Sequence, residues 1–295
     1  MESVPKQLPL RLPYRPPFAK DPLLSFLAIR AVPGVEDVHD GTYRRGVQAT
    51  EGGTAVIAMT PHPGYVRVNT SAGDVRNDQH LAAIVRGARR TFDLDADPQT
   101  IDAALTQDTK LAPLVRRTPG MRVPGTFDAF ELVVRAIFGQ QVSVRGARAS
   151  LGRFAKRFGT PLDPPGRSVT HLFPTPDRVT DIPPETFEMP RSRAHAIRRV
   201  AELVALGQLD LSGSAPPEDA LQILGEVRGI GPWTLAYVAM RALRDPDAFV
   251  AGDLGVRKGF EALGLPSGTR ELLDRAERWR PWRAYAVMHL WHAHT

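Results

Sequence analysis

The chain contains no cysteine. Disulfides, thiolate nucleophiles, Cys-ligated zinc and Cys-ligated iron–sulfur clusters are therefore excluded. Long apolar runs are missing too. A stretch such as residues 55–59 falls far short of the roughly 20 residues that span a bilayer. Residues 1–10 lack the apolar core of a secretory signal, so the expectation is a cytoplasmic protein. Metal-ligand spacing, a Gly-x-Ser-x-Gly elbow and a phosphate loop ending in Lys-Ser/Thr are also absent, and those reaction classes lose their support.

What remains is a chain of 295 residues, 42% hydrophobic and 24% charged, which suits a packed soluble protein. At roughly 150 residues per domain, two domains are expected. Of 38 Lys and Arg only five are Lys, and the net charge of +6 is unevenly spread. Between Arg116 and Arg157 nine cations meet two anions, Asp128 and Glu131. Such a stretch suits a phosphate-backbone partner, and equally a solvated helix face.

Residues 1–20 are rich in Pro and read as an extended lead-in. Asp21 then precedes Leu23, Leu24, Phe26, Leu27 and Ile29, the pattern of a helix with Asp21 as its cap. Three short strands follow at 43–49, 54–59 and 65–69, separated by Gly52-Gly53 and by 61–64. A second helix is expected over 77–92. Residues 1–112 are thus predicted to form an α+β unit with an antiparallel sheet. From 113 to 295 helical patterns dominate, at 127–138, 144–158, 191–206, 217–227, 232–243, 254–263, 270–280 and 282–292. A mostly helical domain with two lobes and a cleft between them is predicted.

The most informative segment runs from Leu224 to Thr234, through Gly225, Val227 and the turn Gly229-Ile230-Gly231-Pro232-Trp233. One helix ends, glycines allow positive φ and close backbone approach, and Pro232 opens the next helix, where its missing N–H costs nothing. The free N–H groups and positive dipole end of that helix form an anion site for a DNA phosphate. An ordinary tight helix corner has the same pattern. Asp253 follows an apolar run and sits where a helix starts. It reads as an N-cap, or as a carboxylate held at the mouth of a cleft. The tail from Trp279 to Trp291 holds three of the four Trp. Trp282, Ala286 and His289/Leu290 share one helix face, so these aromatics, and His289 with them, fit a packed core.

Taken together these motifs resemble the helix-hairpin-helix DNA glycosylase superfamily, and within it the bacterial DNA-3-methyladenine glycosylase II family. The resemblance spans nearly the whole chain. It takes in Tyr14-Arg15-Pro16-Pro17-Phe18, 26–32, Phe92-Asp93-Leu94, 124–131, the run 135–144 through Gly139-Gln140-Gln141, the hairpin, Asp253 and the Trp-rich tail.

The resemblance implies that Asp253 is the essential carboxylate and that Trp233, Tyr237 and Trp291 line a base pocket. Gly229, Ile230, Gly231 and Thr234 would grip the DNA backbone, with carbonyls of Gly225, Val227 and Ile230 holding a structural Na+ or K+. No other cofactor is expected. Trp233 stands where bifunctional relatives carry a Schiff-base Lys, which implies a hydrolase without lyase activity. Gln141 departs from the family's usual Leu at the residue that fills the gap left by a flipped base. The front sheet would resemble that of the TATA-binding protein. The implied function is a monomeric enzyme of the bacterial cytoplasm and nucleoid. It would excise 3-methyladenine, 7-methylguanine and related alkylated bases from double-stranded DNA, leaving abasic sites for base excision repair.

The chemistry fits, because an N3- or N7-alkylated purine is cationic and leaves readily. The enzyme has chiefly to extract the base, hold it on aromatic faces and stabilise an oxocarbenium-like sugar. Two alternatives stay open: a non-catalytic protein that binds distorted duplexes, and a glycosylase for oxidised or deaminated bases.

Overall fold

A computed structural model describes residues 9–49, 53–71 and 78–293. Gly52, Asn77 and the first eight residues of the lead-in lie outside the described residues. Five strands form one antiparallel sheet: β1 (Leu10–Pro13), β2 (Glu36–His39), β3 (Thr42–Gln48), β4 (Thr54–His62) and β5 (Tyr65–Thr70), in the order β1-β5-β4-β3-β2. Helix α1 (Lys20–Arg30) lies between β1 and β2, and α2 (Asp78–Phe92) follows β5. Alternation along β4 turns Ala55, Ile57 and Met59 to one face, where Met59 pairs with Tyr43 and Val68. These side chains are buried against Leu23, Leu24 and Leu27 of α1 and Ile84, Ala88 and Phe92 of α2. Burial of each of the larger of these side chains contributes about 1.5–3 kcal/mol, and of each alanine methyl about 0.8 kcal/mol.

The sheet has two strands more than the sequence pattern foretells. β1 lies within the Pro-rich lead-in and pairs with β5 at the sheet edge, where Pro13 costs no ladder bond. β2 is mostly polar, and it is joined to β3 by an Asp40-Gly41 turn with φ of +49° and +68°. Positive φ at both positions is the two-residue hairpin geometry that matches strand twist. Asp21 is not a cap: it sits inside the first turn of α1, whose N-cap residue is Ala19.

The remaining helices are α3 (Pro98–Leu105), α4 (Ala112–Arg117), α5 (Ala129–Phe138), α6 (Val144–Phe158), α7 (Pro176–Thr180), α8 (Arg191–Ala205) and α9 (Pro217–Gly225). They continue with α10 (Pro232–Arg241), α11 (Leu254–Ala262), α12 (Thr269–Ala276) and α13 (Arg283–Ala293). Two helical cores result. One gathers Val133 and Ile137 of α5, Leu151 of α6, Ile197 of α8 and Leu224 of α9. The other gathers Ile101 of α3, Val115 of α4, Phe260 of α11 and Leu290 of α13, so α3 and α4, on either side of residue 112, pack with the last helices. α10 belongs to both, giving Val238 to the first and Ala239 and Met240 to the second.

A buried ionic cluster joins the sheet to α5. Arg135 sits 2.8 Å from Glu36 and 3.0 Å from Glu131, and Arg45 of β3 lies 2.8 Å from Glu131. Tyr43 donates to Glu36. Burial pushes the Glu36 carboxyl upward, and the charges of Arg135 and Arg45 overcome that and hold it below its ordinary value.

Candidate active site

Between the two helical cores and α1 lies a cavity of about 810 Å³. That volume is in the range of small-molecule sites. Trp233, Tyr237 and Arg241 reach it from α10, Met288 and Trp291 from α13, Phe26 and Arg30 from α1, and Asp253 from the start of α11. The spacing i, i+4, i+8 on α10 puts its three contributors on one helix face, as the spacing i, i+4 does for Phe26 and Arg30. Among the described lining residues Asp253 is the one carboxylate.

Asp253 is both a cap and a cavity residue. Its Oδ1 accepts from the Val256 N–H at 3.0 Å, which caps α11, and from Trp291 Nε1 at 2.8 Å. Its Oδ2 accepts from Trp233 Nε1 at 3.1 Å. Three donors from three elements thus fix both oxygens. Of the roughly four acceptor sites of a carboxylate, one on Oδ2 is left over. The two readings of Asp253 that the sequence left open are therefore not exclusive.

The aromatics form a continuous wall. Trp233 stacks on Tyr237 with centroids 5.1 Å apart, Tyr237 lies 6.4 Å from Trp291, and Trp291 stacks on Phe26 at 5.8 Å. Trp291 is core and pocket at once: it is 8% exposed, packs in the second helical core and faces the cavity. Trp279 is core alone, its Nε1 donating to Asp108 at 2.9 Å. His289 is buried as expected, yet its Nε2 has no hydrogen-bond partner. Burial, with His292 and Arg117 nearby, pulls its pKa down to about 3.

The sequence reading gave no site role to Phe26, Arg30 or Arg241. The Arg30 guanidinium lies 3.8 Å from the Phe26 ring centroid and 5.7 Å from that of Trp291. Burial lowers its pKa, and the charge of Arg241 adds to the effect. Arg241 donates to the Pro124 and Gly125 carbonyls and, at 2.6 Å, to the Tyr237 hydroxyl. Burial alone would raise the Tyr237 pKa, and Arg241 and Arg30 bring it below its ordinary value instead. Trp233, Tyr237 and Arg241 were findable from their spacing, and Arg30 from its place four residues after Phe26.

The hairpin lies beside the mouth. Gly229 has φ +100° and needs glycine, whereas Gly231 is extended at φ −98° and faces open space. α10 starts at Pro232 with no side-chain cap, leaving first-turn N–H groups free of side-chain partners. Ile230 and Thr234 are buried, so backbone rather than side chain is what they offer a partner. Gln140 braces this hairpin, its Nε2 donating to the Gly229 carbonyl at 2.9 Å and to Thr234 Oγ1 at 3.1 Å. Gln141 stands exposed at the mouth with φ +56°. Four of the six exposed large apolar side chains among the described residues, Ile29, Val142, Val144 and Leu254, also surround the cavity. An exposed apolar rim of this kind marks an interaction site. Two of the nine cations between Arg116 and Arg157 are internal, Arg122 bonded to backbone carbonyls and Arg135 in the ionic cluster, so the surface stretch is less basic than its sequence.

Residues 9–128 match the model of the AlkA N-terminal domain, and residues 134–284 match that of HhH-GPD superfamily base excision DNA repair proteins. The chain belongs to the HhH-GPD superfamily. DNA-3-methyladenine glycosylase 2 of Escherichia coli is 35% identical to it over 95% of this chain and 96% of that relative. A Mycobacterium tuberculosis relative named "Probable bifunctional transcriptional activator/DNA repair enzyme AlkA" is 40% identical over 96% of this chain. The chain spans 56% of that relative's length. In fold, this HhH-GPD chain is similar to the solved 3-methyladenine DNA-glycosylase of Archaeoglobus fulgidus, with a TM-score of 0.81, 22% identity, and 96% and 97% of the two chains covered.

Proposed function

We propose that the chain is a monofunctional DNA glycosylase that hydrolyses the N-glycosidic bond of alkylated bases in duplex DNA and leaves an abasic site. The observation that carries this reading is Asp253, a lone carboxylate fixed by three donors in an aromatic-walled cavity. A base swung out of the duplex stacks on Trp233, Tyr237 and Trp291, whose faces attract the cationic ring of 3-methyladenine or 7-methylguanine by about 0.5–2 kcal/mol. The Asp253 charge, about 4 Å from the developing sugar cation, contributes roughly 4 kcal/mol at an effective dielectric near 20. That is about a thousandfold in rate. The remaining acceptor site on Oδ2 orients the attacking water.

DNA is gripped by the hairpin backbone at Gly229, Ile230, Gly231 and the start of α10, with the surface cations of α6 on the phosphates. A structural Na+ or K+ would be held by the hairpin carbonyls of Gly225, Val227 and Ile230, of which that of Val227 also accepts the Ile230 N–H at 3.0 Å. Hydrolysis without lyase chemistry is supported by Trp233 at the Schiff-base position and by the lack of Lys among the described lining residues. The cavity walls described above all come from this one chain, so a monomer suffices for the proposed chemistry. A second reading, excision of a deaminated or oxidised base, is favoured by one feature. Arg30 lines the cavity with donors that suit the carbonyl oxygens of a neutral base.

Duplexes bearing one modified base each, incubated with enzyme and then with or without alkali, test the proposal. Strand scission only after alkali, with 3-methyladenine and 7-methylguanine the best substrates, is expected. Scission without alkali would establish a lyase, and tight binding without release of any base would establish a binding protein.

A further inference from the structure

Two glycines, Gly252 and Gly255, flank Asp253, and they differ in what surrounds them. Among the described residues, a Cβ on Gly252 would meet Trp233 Cδ1 at an ordinary 4.0 Å and nothing nearer. On Gly255 it would lie 2.8 Å from Trp291 Cδ1, 3.1 Å from Trp291 Nε1 and 3.0 Å from Asp253 Oδ1. Comfortable contact begins at about 3.5 Å, so no such atom fits. All three crowded atoms belong to one interaction, the hydrogen bond that the Trp291 indole donates to Asp253 Oδ1 at 2.8 Å.

The backbone does not ask for glycine at 255. Gly255 lies in the first turn of α11 and is not among the residues with positive φ. Alanine would favour the helix more. The requirement is for space, and the neighbours cannot give way without loss. Asp253 is tied to the Val256 N–H and to Trp233 as well, so moving it would break the cap of α11. Trp291 is hemmed in by the Phe26 and Tyr237 rings and by the Arg30 guanidinium. Four residues on, on the same face of α11, a Cβ on Gly259 would lie 2.7 Å from Leu290 Cβ and 2.9 Å from the Leu290 carbonyl oxygen. The two glycines thus form a groove for the Leu290-Trp291 edge of α13. Gly259 meets its backbone, and Gly255 meets the indole.

We propose that Gly255 is a positioning residue for base excision. Its bare Cα is the space in which the Trp291 N–H meets Asp253, and a side chain there drives the indole off the carboxylate. This rests on the glycosylase reading above, in which Asp253 faces the sugar. Gly255 acts through the pair beside it and supplies no group of its own to the reaction. With the indole displaced, Oδ1 keeps the Val256 N–H and Oδ2 keeps Trp233, so the charge stays while its aim is loosened. The defect then belongs to the chemical step, and duplex binding is spared.

Gly255→Ala, Trp291→Phe and the double variant are compared in single-turnover release of 7-methylguanine from methylated duplex, over a range of enzyme concentrations. Gly255→Ala should lower the maximal rate about tenfold to a hundredfold, the worth of one hydrogen bond to a charged group. The enzyme concentration at half-maximal rate should stay within about twofold of the parent's. The double variant should match Trp291→Phe to within about threefold, because the bond that both changes remove can be lost only once. Losses that multiply, or Gly255→Ala at the parental rate, overturn the proposal and leave the glycosylase reading intact. So does a lowered melting temperature with normal activity per folded molecule. If Gly255→Ala does not fold, the double variant decides. The smaller Phe ring should restore folding, whereas a double variant that also fails to fold places the clash elsewhere and overturns the proposal. Release of no base by the parent overturns both readings.

Discussion

Replacing Trp291 by Phe separates its two roles. Truncation to Ala would empty a site in the second helical core at a cost of about 3–5 kcal/mol and would mix instability with lost chemistry. Phe keeps a ring against Phe26, 5.8 Å away in the parent, and deletes the Nε1–H that Asp253 Oδ1 accepts at 2.8 Å. Oδ1 retains the Val256 N–H at 3.0 Å and Oδ2 retains Trp233, so the carboxylate stays in place but is less tightly aimed. A hydrogen bond to a charged group is worth about 1.5–3 kcal/mol, which sets the expected loss in single-turnover excision at roughly tenfold to a hundredfold. Because most of the buried area survives, the lost hydrogen bond dominates the stability cost, and thermal unfolding should fall by about 3–12 °C, far less than truncation to Ala would bring. Excision within twofold of the parent would refute the claim that the indole N–H aims Asp253. A lowered melting temperature with normal activity per folded molecule would assign Trp291 to the core alone.

Three other outcomes follow from the same structure. Arg135→Met strips Glu36 and Glu131 of a buried partner and should cost about 3–5 kcal/mol in urea unfolding, whereas a change under 1 kcal/mol would remove the cluster as a tie between sheet and α5. His289, held neutral with a pKa of about 3 against an ordinary 6.5, leaves stability untouched above pH 6.5. As pH falls toward 3 the unfolded chain takes a proton that the folded chain refuses, a loss of about 2 kcal/mol at pH 5, so His289→Leu should flatten that slope and parallel slopes would contradict it. Duplex binding should weaken with salt at a log–log slope of about −0.9 per phosphate neutralised, and a slope near zero would remove the backbone contacts.

Most helices of the second half were legible because their signals are local, whereas the five-residue α7 directly after a Pro-rich stretch was not. Ser143 before α6 and Pro232 at the first position of α10 mark starts that the structure keeps. β2 was illegible for the opposite reason. Glu36 looks like a solvent residue until Arg135 arrives from α5 and Tyr43 from the neighbouring strand. The Asp40-Gly41 hairpin signal was nonetheless present in the chain. At the cavity, Asp253, Trp233 and Trp291 were read from motif positions, but their mutual hydrogen bonds join residues up to 38 positions apart and no periodicity encodes them. Arg30 escaped because α1 was read as part of the sheet's own unit, whereas the fold turns its Phe26–Arg30 face into the second helical core and the cavity.

Asp253→Asn bears most directly on the proposed chemistry. Asn caps a helix as well as Asp does, so the bonds from Val256 and Trp291 to its oxygen and the fold should survive, while the charge and the bond from Trp233 Nε1 disappear. The measurement is single-turnover release of 3-methyladenine or 7-methylguanine from methylated duplex, with equilibrium duplex binding in parallel. The expected result is a loss of excision of about a thousandfold or more with binding kept or slightly tightened. Excision within a few-fold of the parent would show that Asp253 is a cap and nothing more, and would contradict the mechanism.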